Sequence, residues 1–251
     1  MMLAKLCVQA GIAVLGDRPP DCGAYWAARW WDRGAVTSTP ALAAYFAEHR
    51  AVASGLISEH ADGAAGVLEI ACGTGEFTEL AARLLPAAQI TGVDISLLAL
   101  AWARSRLHGA GVGDRVTLAC GDYQDALRGV PDTAGSVLCF DAIHHLGNPA
   151  DTLRRLRGRV AAGGVLIGNI WTADHFHEFG RHRYGAPGHL RRCAGFLAAA
   201  AAIRVTGGRV GREAYRTRLI STGEAEKLLG QVFCRVEAVR LRYHLVFAAW
   251  P

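Results

Sequence analysis

One stretch, VLEIACGTGEFTEL over residues 67–80, restricts the fold more than any other part of this 251-residue chain. A short apolar run leads into two glycines one residue apart, and then into residues at helical spacing. Phe77, Leu80, Ala81 and Leu84 share one face of a helix predicted over 76–85. A strand that turns through glycines into a helix places the helix's first free amides around a ligand. The same alternation continues along the chain. Strand 90–94 leads to a helix over 97–107, with Ser96 as its N-cap. Strands follow at 115–120 and 136–140. Asn148 and Pro149 then open a helix as N-cap and first helical residue, with Leu153, Leu156 and Val160 turned inward. A fifth strand, 163–170, follows a glycine turn. Short apolar strands alternating with helices predict a parallel sheet covered on both faces, with ligands at the strands' carboxyl ends.

Three regions depart from this rhythm. Residues 1–60 read as a helical lid that precedes the α/β domain of residues 61–251. Residues 171–220 are too long for an ordinary connection and contain the helical RRCAGFLAAAAAI, so they read as a cap inserted over the site. Past the cap, Ser221 and Glu224 have capping-box spacing. The segments 234–241 and 243–249 then fit an antiparallel hairpin at the sheet's edge.

The glycine turn selects its ligand by what it lacks. A dinucleotide site requires G-x-G-x-x-G, but after Gly73 and Gly75 the third position is Thr78. No Gly-Lys-Ser/Thr follows, which excludes a nucleotide-triphosphate loop. Glu69 is an acid within an apolar strand that ends at the turn. It repels pyrophosphate and attracts an ammonium or sulfonium. Asp94 ends the second strand, where a carboxylate accepts from a ribose diol. Asp122 is placed to accept from an exocyclic adenine amine, with Tyr123 beside the ring. The ligand described is an adenosine with a cationic amino-acid end and no phosphates.

At this point VLEIACGTGEFTEL, ITGVDIS, VTLACGDYQDA, VLCFDAIHHLGNPADTLRRL and RVAAGGVLIGNI resemble the successive motifs of class I S-adenosylmethionine-dependent methyltransferases of the small-molecule type. The resemblance covers residues 65–172 in order and spacing. It implies a Rossmann-like, doubly wound, seven-stranded sheet whose last strand is antiparallel, with S-adenosyl-L-methionine as cofactor. Carried over, Glu69, Ala71, Gly73 and Gly75 lie along the methionine part. Asp94 and Ile95 hold the ribose and adenine, and Gly121, Asp122 and Tyr123 the adenine. Asp141 and Ala142 line the side nearest the sulfonium. The Lys-Pro-Gly-Gly common in the family before its fifth strand is here AAGG, a departure confined to a turn.

Methyl transfer is an in-line displacement, so alignment is the protein's main contribution, together with a base where the acceptor is a hydroxyl. His144 and His145 follow the fourth strand, where the acceptor approaches. Either is a candidate base, and the pair equally suits a packing or hydrogen-bonding wall. Tyr25, Trp26 and Trp30 on the N-terminal segment, with Trp171, Arg181 and Tyr184 from the cap, are the candidate acceptor-binding residues. The Trp26 and Trp30 pair serves as core, as pocket wall, or as both. An arginine cluster in the cap selects an acidic acceptor or forms a solvated face. His175, His177 and Glu178 raise the question of a metal, but His-x-His is unspecific, and no metal is expected.

Composition narrows the setting. A net charge of +5 lacks the dense basic face of a dedicated nucleic-acid binder. The residues after the fourth strand are Asp-Ala-Ile-His rather than the Asn/Asp-Pro-Pro-Tyr/Phe of methyltransferases that act on bases and glutamine. Seven dispersed cysteines with no CxxC predict neither a disulfide framework nor a zinc site. The N-terminus resembles a signal peptide only briefly, and no apolar run spans a bilayer. The expectation is a cytoplasmic enzyme, monomer or homodimer, that methylates a small molecule of specialised metabolism without nucleic acid or membrane. An RNA or protein methyltransferase and a non-methylating relative of the fold are the alternatives.

Overall fold

The computed structural model describes residues 39–61, 66–125, 129–207 and 218–251. The predicted N-terminal lid, with Tyr25, Trp26 and Trp30, lies outside these residues except for its last helix.

That helix, α1 (Pro40–His60), starts at Thr39, whose hydroxyl accepts from the Leu42 amide. The alternating region follows: β1 (Val67–Ile70), α2 (Glu76–Leu84), β2 (Ile90–Asp94), α3 (Leu97–Gly109), β3 (Val116–Cys120), β4 (Ala134–Cys139), α4 (Pro149–Gly158) and β5 (Val160–Trp171). The segment read as a cap contains α5 (Phe176–Thr206). After it come α6 (Thr222–Val232), β6 (Arg235–Arg240) and β7 (His244–Trp250). The strands form one seven-stranded sheet in the order β3-β2-β1-β4-β5-β7-β6. Only β7 runs against the others, pairing antiparallel with both β5 and β6. The expected hairpin is therefore present, with β6 as the sheet's edge.

Side chains alternate between the two faces along each strand, and this divides the core in two. Leu68, Val137, Leu166, Leu245 and Phe247 pack under α4 and α6 with Leu153, Leu156 and Leu229. Val67, Leu138, Ile167, Val246 and Ala248 face the other way, against Ile57 of α1, Phe77 and Ala81 of α2, and Leu107 of α3. Both faces are covered, which is why the strands read as continuous apolar runs.

The predicted caps at Ser96, Asn148 and Ser221 are all present, the last with Glu224 closing the capping box. Two boundaries differ from the sequence reading. Val160 opens β5 rather than ending α4, and the strand runs through the expected glycine turn with a register shift opposite Ala134 and Ser136. A Cβ at Gly164 would lie 2.4 Å from the Gly135 carbonyl oxygen. Gly164 thus admits close strand approach, and β5 begins before the glycines rather than after them. The cap is also more helical than RRCAGFLAAAAAI alone predicts. Its first half, from Phe176, is helical as well, and the two halves are separated at Gly185 (φ 68°, ψ 165°), two residues before Pro187. Among the described residues no helix is long and apolar enough to cross a membrane.

Candidate active site

The glycine turn is held by its own neighbours. Ala71, Gly73 and Gly75 all have positive φ, 58°, 56° and 75°. At Gly75 the requirement is double, because a Cβ there would also meet the Ala103 Cβ at 3.0 Å, where α2 begins against α3. The Asp94 carboxylate accepts from the Gly73 amide with one oxygen and from the Ser96 amide with the other, both at 2.8 Å. The Asp94 carbonyl accepts from Gly121 N at 3.0 Å, which brings the end of β3 alongside. Ile95 and Gly121 are half-buried at this edge.

Glu69 is buried beneath the turn and accepts a hydrogen bond from the Thr78 hydroxyl. This explains the missing third glycine. A threonine at that position donates a hydrogen bond to a buried carboxylate, which a glycine could not do. Burial, followed by the negative field of Glu69 and then Asp94, pushes the Cys72 thiol well above its ordinary range. The turn is therefore an electronegative place.

Asp122 accepts from the Gln124 amide at 2.9 Å, which folds the chain after β3. Tyr123, read as standing beside an adenine ring, belongs to the buried core cluster with Leu153 and Val137, at 7 % exposure. Its large apolar ring buries more surface there than it would at the rim.

At the end of β4 the structure surrounds Asp141, a residue named from the sequence, with partners that sequence reasoning did not single out. Asp141, at φ 52°, donates its backbone N–H to Asn169 Oδ1 (2.6 Å) and accepts from Asn169 Nδ2 at 2.7 Å. Asn169 Nδ2 also lies 2.8 Å from His49 Nε2, and His244 Nε2 lies 3.5 Å from Asp141 Oδ1. The Tyr45 hydroxyl lies 2.5 Å from His244 Nδ1. Burial holds the Tyr45 phenol above its ordinary value, with Asp141 adding to the effect. Burial also lowers His244 to about 3, opposed by Asp141 and reinforced by His49. A protonated phenol and a neutral imidazole fix the direction of the chain. Tyr45 donates to His244 Nδ1, and His244 Nε2–H points to Asp141. Three elements far apart in sequence, α1, β5 and β7, converge on one loop. In the sequence the only signal was polar residues at otherwise apolar positions, Asn169 in β5 and His244 opening β7.

His144 and His145 lie in a single 3-10 turn over 143–145, with ring centroids 3.9 Å apart. His144 is buried, and its pKa falls well below the ordinary value through burial, then the nearby His145 and His244. Its ring meets Trp171 edge-on at 5.3 Å. Among the described residues, neither His144 Nδ1 nor Trp171 Nε1 has a hydrogen-bond partner, although both atoms are buried. Trp171 also packs on Phe179 of α5, and in the sheet it pairs with His244.

The remaining candidates from the cap are dispersed. Arg181 is exposed on α5, and half-buried Tyr184 lies between the guanidiniums of Arg183 and Arg192, 4.9 and 4.3 Å from its ring centroid. The trio weighed as metal ligands is divided. Glu178 pairs with His175, and with Arg242 through two hydrogen bonds of 2.6 and 3.0 Å, while His177 contacts His189.

Residues 67–164 match the methyltransferase domain family, and the strand order with its single reversed strand is that of its class I members. Over residues 67–164 the chain carries a methyltransferase domain, on the fold of the class I S-adenosylmethionine-dependent methyltransferases. A trans-aconitate 2-methyltransferase from Methylobacterium nodulans is 30% identical over 182 residues, 71% of this chain and 61% of that protein. A malonyl-[acyl-carrier protein] O-methyltransferase from Bacillus cytotoxicus is 30% identical over 115 residues, 46% of this chain and 38% of that protein. Magnesium protoporphyrin IX methyltransferase from Synechocystis, solved with bound S-adenosylhomocysteine, superposes with a TM-score of 0.54 at 14% identity, covering 95% of this chain and 92% of that one. The chain spans less than two thirds of the length of these curated relatives.

Proposed function

We propose that this chain transfers a methyl group from S-adenosylmethionine to a small-molecule acceptor in the cytoplasm, in specialised metabolism. The observation that carries the reading is a pair of buried polar atoms without a partner among the described residues, His144 Nδ1 and Trp171 Nε1, beside the loop that bears Asp141. A buried polar group without a partner costs about 1–3 kcal/mol, so these two atoms await a ligand that can both donate and accept. Five free cysteines among the described residues suit a reducing compartment.

The turn fits the cofactor. The negative field of Glu69 and Asp94 suits a cationic amino-acid end and opposes a pyrophosphate. Asp94, fixed by the Gly73 and Ser96 amides at the end of β2, is the carboxylate placed to accept from a ribose diol. When bound, S-adenosylmethionine supplies an electrophilic methyl on a positively charged leaving group. Asp141, fixed by Asn169 and His244, would hold the loop that faces the methyl group. His144, neutral through burial, accepts the proton of a hydroxyl acceptor at Nδ1 while Trp171 Nε1 donates to the acceptor's polar group. An acceptor that arrives ionised, such as a carboxylate, uses the same alignment without the base. The name of one relative, trans-aconitate 2-methyltransferase, specifies an acid, and the cap arginines suit that acceptor class.

Calorimetry with S-adenosylhomocysteine and with NAD tests the cofactor, and NAD binding more tightly would overturn the reading. Product detection with a panel of small acids and phenols, set against bulk tRNA, tests the acceptor class.

A further inference from the structure

The break at Gly185 lets the second half of α5 come back against the first. His177 Nδ1 lies 2.8 Å from His189 Nε2, and Cys193 Sγ lies 3.5 Å from the same nitrogen. All three donor atoms are within 4.8 Å of one another. His189 and Cys193 are four residues apart, which puts them on one helical face. His177 reaches them from across the break. We propose that His177, His189 and Cys193 bind a thiophilic divalent transition metal of the zinc class, which clamps the two halves of the cap together.

The donor set selects the metal. Two imidazole nitrogens and a thiolate suit zinc or cobalt and are too soft for magnesium or calcium. Zinc at about 2.0–2.1 Å from nitrogen and about 2.3 Å from sulfur, in tetrahedral geometry, sets an N–S separation of about 3.5 Å and an N–N separation of about 3.3 Å. The observed N–S distance already meets this. The two nitrogens stand at hydrogen-bond distance, so a small ring movement replaces that hydrogen bond with the metal. The protons balance. The Cys193 thiol proton leaves to solvent. The hydrogen between the rings moves to the outer nitrogen of the imidazole that carries it, so both inner nitrogens present lone pairs. The fourth position takes water.

The surroundings are built for the ring. His189 is 7 % exposed, and a Cβ at Gly180 would fall 2.1 Å from its Nδ1, so only glycine leaves it room. Phe176 borders both imidazoles, with centroids at 5.4 and 5.8 Å, and reaches Trp171 at 6.5 Å. A metal here would therefore fix the part of the cap that rests on the wall of the candidate active site. Arg181 and Arg192 act on His189 from nearby. Together with the three-ligand count they make this a weaker site than a closed four-ligand one. This trio is distinct from the His175, His177 and Glu178 set, which the pairing of Glu178 with Arg242 divides.

The test is titration of the full-length, reduced, chelator-stripped protein with Co(II) alone. One saturating equivalent with a thiolate-to-cobalt charge-transfer band is expected, displaced by Zn(II), and Zn(II) should raise the melting temperature. Cys193→Ser should abolish the band. His177→Ala, His189→Ala and Gly180→Ala should each weaken cobalt binding by at least about tenfold. Gly180→Ala favours helix intrinsically, so its effect is read on the ring it displaces. Circular dichroism of each metal-free variant separates lost ligation from lost folding. The Glu59, His60 and Glu237 group has no sulfur and cannot give the band. Absence of a saturable band in the wild type would overturn the site. So would a band that survives Cys193→Ser, or zinc stabilising that variant as much as the wild type.

Discussion

The floor of the candidate site and its cap are built in opposite ways. The floor is held by hydrogen bonds within residues 69–96, from Asp94 to backbone amides and from Thr78 to the Glu69 side chain. Asp94 reaches back 21 residues to Gly73 and forward two to Ser96, and Thr78 reaches Glu69 nine residues away. The cap is held by partners far away in sequence. Glu178 pairs with Arg242 and Tyr243, 64 and 65 residues on, and Phe179 packs with Tyr45 and Tyr243. A floor made of local chemistry commits the chain to one kind of cofactor. A cap made of tertiary contacts is free to vary without disturbing the floor, and under the proposed function that is where choice of acceptor would reside.

The largest predicted effect tests the boundary between the two. His144 sits where floor and cap meet, and for a hydroxyl acceptor His144→Ala should lower turnover by a factor of about 10²–10⁴ while S-adenosylhomocysteine affinity barely changes. Because burial keeps His144 neutral, turnover limited by this group should stay flat through neutral pH and fall only in acid. A variant that keeps wild-type kcat removes His144 from the chemistry and leaves alignment as the catalytic device.

Asp94→Ala acts on the floor alone. Loss of a charged acceptor should weaken cofactor binding by about 2–3 kcal/mol, read by calorimetry, with the acceptor KM little changed. An equal loss in acceptor affinity would show that floor and cap are coupled.

Acid stability probes the contacts made across the sheet. His244 titrates near 6.5 when unfolded and near 3 when folded. The unfolded chain therefore binds the extra proton in between. The stability linked to this group is intact above about pH 6.5 and is lost as the pH falls toward 3. His244→Gln cannot take that proton. Between pH 6 and 4 its unfolding free energy should fall less steeply than the wild type's, by up to about 1.4 kcal/mol per pH unit. Identical slopes in urea denaturation would count against a buried neutral His244.

The smallest effect concerns the chain's return from the cap. Ser221→Ala removes one half of the capping box on α6 and should cost about 1 kcal/mol in thermal denaturation, with no change in either substrate's KM.

The sequence by itself determined the sheet, its helices and the class of cofactor. These rest on periodicity, caps and glycine positions, all of which act within a few residues of themselves. The two-faced burial of each strand, the N-caps at Ser96 and Asn148, and the turn at Gly73 and Gly75 were legible for that reason. The partner of Glu69 was nearly legible, since Thr78 occupies the position that a third glycine would have taken. The convergence of Tyr45, His49, Asn169 and His244 on Asp141 was not legible. Those residues stand on α1, β5 and β7, and only the sheet order, which inserts β7 beside β5, brings them within hydrogen-bond reach. The burial of Tyr123 and the meeting of His177 with Cys193 across Gly185 were decided in the same way. A side chain's neighbours across a fold depend on which elements pack together, and no spacing within a single element encodes that.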